Sequence, residues 1–148
     1  MADATVRLAH YYYHNKTYEV ASRIFASFQK KSPDHRLAPK CLFLAAQCQM
    51  KLEDYMASAE LLDRLVEAYK DNKDLRAEAM YWQADSFYQA AKKAEEERHR
   101  GGEEYWRESY KAFKKLTWDY PESKWAKFAR GRLAEEQLIE VDVDMREE

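Results

Sequence analysis

The chain is 148 residues long with 3 Gly and 3 Pro, too few turn residues for an all-β fold, and it is rich in the helix formers Ala, Leu, Glu, Lys, Gln and Arg. A net charge of −2 with 35% charged residues describes a solvated surface of mixed sign. That balance excludes a global attraction to nucleic acid or anionic lipid, and no apolar run approaches the roughly 18 residues of a membrane span.

The pattern predicts an all-α chain. A first helix runs from about Ala4 to His14. Asn15-Lys16-Thr17 turns the chain, and a second helix runs to about Lys31, where Ser32-Pro33-Asp34 stops it. A second pair is predicted at about Leu37–Lys51 and Asp54–Tyr69, with Asp54 as N-cap. A third pair begins near Asp74, and its pattern runs on through Gln89 to Arg98 before Gly101-Gly102. About 13 residues are therefore inserted, and their charged composition predicts a solvated, projecting extension of both helices. Repeat insertions tend to cluster on one face, so the extension is also a candidate specificity element. After Pro121 the residues Ser123, Trp125, Ala126, Phe128, Ala129 and Leu133 predict one more helix with no partner behind it. Residues 141–148 form an acidic end expected to fray.

A register repeats inside these elements about every 37 residues: an aromatic, a small residue three on, and large apolar residues seven and ten on. Tyr18, Ala21, Phe25 and Phe28 form the first copy. Tyr55, Ser58, Leu62 and Leu65 form the second, and Trp106, Ser109, Phe113 and Leu116 the third. Pro33 and Pro121 close the first and third copies, while Lys70 stands at that place in the second. Small residues allow helices to approach, and large ones fill the space between stacked pairs. The expected organisation is a single domain. It comprises repeat 1 (about 4–33), repeat 2 (34–71), repeat 3 (72–121, insert around 89–105), a C-terminal helix (122–140) and the acidic tail.

These copies, with Ala9 and Tyr12 ahead of the first, resemble the tetratricopeptide repeat family over about residues 4–139. The stretch Asp119-Tyr120-Pro121-Glu122-Ser123-Lys124-Trp125-Ala126-Lys127-Phe128-Ala129 is similar to the Tyr-Pro-x-Ser-x-x-Ala-x-x-Ala junction of bacterial envelope repeat proteins. That group includes the β-barrel-assembly lipoproteins and the TolA-binding coordinator of cell division. The resemblance implies a right-handed α-solenoid of three helical hairpins plus a C-terminal helix. It also implies protein–protein scaffolding, often in the periplasm.

In repeats of this kind the first helix of each pair lines a concave groove. That register selects Val6, His10, Tyr13 and His14, then Lys40, Phe43, Gln47, Met50 and Lys51, then Glu78, Tyr81, Asp85, Tyr88 and Gln89. Aromatic residues among polar ones suit the capture of a protein segment. The alternative is a structural building block that continues a longer repeat array or self-associates through its ends, by Tyr11 and Tyr12 at one and Trp125, Phe128 and Leu133 at the other.

No phosphate loop, dinucleotide fingerprint or nucleophile elbow is present, and no paired carboxylates point to an enzyme or a cofactor. His10 and His14 stand at i,i+4 but lack a third metal ligand. Cys41 and Cys48 lie about 10 Å apart along one helix, beyond the reach of a disulfide, and are expected in the core. The basic residues Lys111, Lys114, Lys115, Lys124, Lys127, Arg130 and Arg132, interleaved with Trp118, Tyr120, Trp125 and Phe128, read as a solvated face over core aromatics. An acidic protein partner suits them better than nucleic acid.

Overall fold

The computed structural model describes residues 2–148. It is 80% helical, with eight helices and no strand among the described residues. These are α1 (Ala2–His14), α2 (Tyr18–Lys31), α3 (Ala38–Lys51), α4 (Tyr55–Ala68), α5 (Lys73–Glu96), α6 (Gly102–Asp119), α7 (Lys124–Leu133) and α8 (Glu136–Arg146). Consecutive helices pack as antiparallel hairpins within two compact units, one ending at Lys70 and the other spanning Asp71–Glu148.

In the first unit α1–α4 stack in chain order. Ala9, Ala21 and Ala46 are essentially without exposure, and so are Phe25, Leu62 and Leu65. Small side chains bring the backbones together, and large ones seal the gap they leave, each contributing roughly 1.5–3 kcal/mol before entropy. Polar groups caught in this core are satisfied. Ser22 Oγ donates to the carbonyl of Ala45 at 3.1 Å and accepts from Gln49. Gln29 bridges Arg64 and Tyr69, and the Tyr69 hydroxyl donates to the carbonyl of Pro33 at 2.9 Å. The Asp54 carboxylate caps α4 by accepting from the N–H of Ala57. Both cysteines are buried and free.

The second unit is built around α5 and α6. Ala84, Ser109, Phe113 and Leu116 are fully buried at their contact, and the Ser109 hydroxyl donates to the carbonyl of Ala84 at 3.0 Å. The junction that follows has a physical logic. Tyr120 ends α6, Pro121 cannot continue it, and Ser123 caps α7 by accepting from the N–H of Ala126 at 3.0 Å. Ala126 and Ala129 then face inward with no exposure, where a larger side chain would hold α7 away.

Three expectations are corrected here. The extension around 89–105 does not project into solvent: Ala90, Ala91 and Ala94 are buried on its inner face. Gly102 sits against Ala94, and Trp106 Nε1 donates to Glu95 at 2.6 Å. The C-terminal helix does not run unbroken to 140, because Ala134 and Glu135 divide it into α7 and α8. Nor does the acidic end fray from 141. It continues α8, which packs on α6 with Leu138 and Val141 buried, Tyr110 hydrogen-bonded to Asp142 and Arg107 paired with Glu148. α8 lies beside the lengthened hairpin, where Glu95, Glu103 and Trp106 border a cleft with Gln137, Glu140, Val141 and Asp144.

Candidate functional site

Four aromatic side chains converge on one surface of the second unit. Tyr81 and Trp82 come from α5, Trp125 and Phe128 from α7. The Tyr81 ring lies 5.3 Å from Trp82, 5.4 Å from Trp125 and 6.2 Å from Phe128, and Trp125 lies 5.6 Å from Phe128. Tyr81 also meets the buried Phe113 at 5.6 Å, which ties the cluster to the core beneath it. Tyr81, Trp82 and Trp125 are half-buried, and Phe128 is 48% exposed. The surface is therefore rigid below and apolar above.

A cleft of about 540 Å³ adjoins the cluster, lined by Asn72, Asp74, Leu75, Glu78, Lys124 and Trp125. The Lys124 ammonium sits over the Trp125 ring at 5.2 Å. Partial burial raises the Glu78 carboxyl above its ordinary value, and the charge of Lys124 opposes that rise. Charges of both signs thus border an aromatic floor.

Behind the cluster stands Arg132 at the end of α7. Its guanidinium donates to Asp85 at 2.9 Å and to the Tyr81 hydroxyl at 3.2 Å. It also pairs with Glu135 and lies 4.1 Å from the centre of the Tyr88 ring. Burial works against its charge, but the Tyr81 hydroxyl and the Asp85 carboxylate outweigh it and hold its pKa above the ordinary arginine value. The Tyr88 hydroxyl donates to Glu135, and burial with this bond raises its pKa.

The residues selected from the sequence are distributed differently from the single groove expected. Asp85 and Tyr88 are buried under α7, held by Arg132 and Glu135, and present no open surface. Tyr81 instead joins Trp125 and Phe128, assigned to separate roles by the sequence, in one cluster. Trp82 was missed, although its position beside Tyr81 was a signal. Arg132 was placed on a solvated face, and only the fold reveals its buried partners.

In the first unit Val6 is part of the core. His10 is half-buried with its ring edge-on to Phe25 at 5.2 Å, and Tyr13 packs on that core beside Tyr18. Lys40 is exposed, and Phe43, Gln47 and Met50 are half-buried on α3. Tyr11 is 61% exposed, whereas Tyr12 packs against the core. Leu133 is half-buried, with α8 following it rather than a bare end. The interleaved aromatics are not all core, since Trp118 is 80% exposed.

The rings of His10 and His14 stack 6.2 Å apart. Among the described residues no group of His, Cys, Asp and Glu side chains is arranged to hold a metal. Among the same residues no helix is long and apolar enough to cross a membrane.

A search of curated proteins finds no match. The family model for the outer membrane lipoprotein YfiO matches residues 2–144. An all-helical chain of stacked hairpins, matched over nearly its whole length, belongs to the YfiO outer membrane lipoprotein family, a bacterial envelope group of tetratricopeptide-like repeats.

Proposed function

We propose that this chain is a non-enzymatic scaffold of the bacterial cell envelope that captures a protein segment on the aromatic surface of α5 and α7. The observation that carries this reading is the cluster of Tyr81, Trp82, Trp125 and Phe128, backed by buried Phe113 and bordered by Glu78 and Lys124. Half-buried aromatic residues on a rigid support lose little freedom on binding and form the centre of interaction hot spots. Family membership supports an assembly role among outer-membrane components, and the Tyr120–Ala129 junction supports a place beside the β-barrel-assembly and TolA-binding repeat proteins.

The test is a panel of extended peptides drawn from outer-membrane proteins, read by intrinsic tryptophan fluorescence. Replacing Trp125 and Phe128 together with Ala should weaken the best binder by about 2 kcal/mol or more, the range of a hot spot. The same variant should keep its helical circular dichroism. Unchanged affinity in a folded variant would remove the cluster from the binding surface.

A further inference from the structure

A second surface, independent of the reading above, lies on the first unit. The α1–α2 hairpin carries a groove of about 780 Å³. Its apolar floor is Leu8, Ile24 and Phe28, and its rim carries Arg23 and Lys31. Leu8 is 47% exposed where it lines the groove. Arg23 is paired at 3.4 Å with Glu19, but both side chains are 75% exposed, so the pair is weak and the guanidinium remains available.

The chain itself carries the complement. With Leu138 and Val141 turned to α6, α8 leaves Ile139 and Val143 exposed one turn apart, at 49% and 47%. Helical spacing puts Glu136 on the same side and Glu140 at its edge, both exposed, and the exposed Glu147 follows at the end of the helix. An acidic helix with a short apolar stripe thus matches a basic groove with an apolar floor. This is the geometry of a helix laid in a groove.

We propose that α8 of one copy docks in the α1–α2 groove of a second copy. The two surfaces differ, so the contact is head-to-tail and leaves a free groove and a free helix at the ends of every chain of copies. One helix in one groove buries less than a standard interface, so the association should be weak and sensitive to salt.

Sedimentation velocity on the full chain tests this with two charge-reversed variants. One carries Arg23→Glu and Lys31→Glu in the groove; the other carries Glu136→Lys and Glu140→Lys on α8. All four positions are exposed, and circular dichroism confirms that both variants fold. The unaltered chain should grow in mass with concentration, less so at high salt. Each variant alone should stay monomeric. Mixed in equal amounts they should associate again, because the first keeps a working helix and the second a working groove, and the reversed charges of the remaining groove and helix also attract. The proposal is overturned if the unaltered chain is monomeric at high micromolar concentration. It is equally overturned if the helix variant still associates with itself, or if the mixture fails to pair.

Discussion

Loss of Arg132 should leave a buried carboxylate without its partner in the second unit. The Arg132 guanidinium is only 19% exposed, and Asp85 opposite it 7%. Replacing Arg132 with Leu removes the donors to Asp85, Tyr81 and Glu135 and the cation over Tyr88, and it leaves the Asp85 carboxylate buried. Breaking a buried ion pair from one side costs about 3–5 kcal/mol. Gln89 Nε2, at 3.4 Å from Asp85, offers some compensation, and the arginine is not wholly enclosed. The expected loss is therefore about 3 kcal/mol, toward the lower end of that range. Arg132→Lys should recover little, since a point charge cannot reach Asp85, Tyr81 and Glu135 at once. Changing Asp85 and Arg132 both to Leu should restore much of the loss, because no charge is then left stranded. All four tryptophans, Trp82, Trp106, Trp118 and Trp125, lie in the second unit, so urea unfolding followed by tryptophan fluorescence reads that unit alone. A cost for Arg132→Leu within about 0.5 kcal/mol, the size of an ordinary surface change, would refute the argument. So would strict additivity in the double variant, since coupled neighbours do not add.

Two further outcomes concern the first unit. Burial, with the charges of His14 and Lys40, lowers the His10 pKa below its ordinary value of 6.5. The unfolded chain then binds the proton first, so this unit should lose stability as pH falls through and below 6.5. His10→Phe should remove that part of the slope in urea titrations at stepped pH, and an unchanged slope would count against the assignment. Burial also pushes the thiols of Cys41 and Cys48 up to about 11, so both should resist alkylation at neutral pH until the first unit opens. Rapid labelling of the native chain would contradict the packing of α3.

The repeat was legible because its signal is local. Tyr18, Ala21, Phe25 and Phe28 sit on one helix at helical spacing, so the sequence displays their shared face directly. What was not legible depends on elements distant in sequence. The residues of α8 looked like a frayed tail because acidic side chains outnumber Leu138 and Val141, and nothing local says that α6 waits to pack against the helix that carries them. The extension looked solvated because its alanines are small and its charges conspicuous, yet Ala91 and Ala94 are the residues that let Gly102 and α6 approach. The aromatic cluster was divided between two roles because Tyr81 and Trp125 are far apart along the chain. Arg132 looked like one cation among seven, and only a partner on α5 distinguishes it from Lys127 or Arg130.

The turns that close the three hairpins carry a consequence for how the hairpins are held. Lys16, Glu53 and Arg98 all adopt positive φ, at 61°, 59° and 56°. In each case the next residue's N–H reaches back five positions: Thr17 to Tyr12, Asp54 to Gln49, His99 to Ala94. This is the left-handed helix ending that glycine usually supplies, here made by long charged side chains. A left-handed residue with a Cβ costs roughly 1–2 kcal/mol. The turns therefore oppose the hairpins they shape, and the bends are imposed by the helices on either side rather than nucleated by the loops. Only the α5–α6 turn adds a glycine, Gly101 at φ 98°; the other two reversals are made without one.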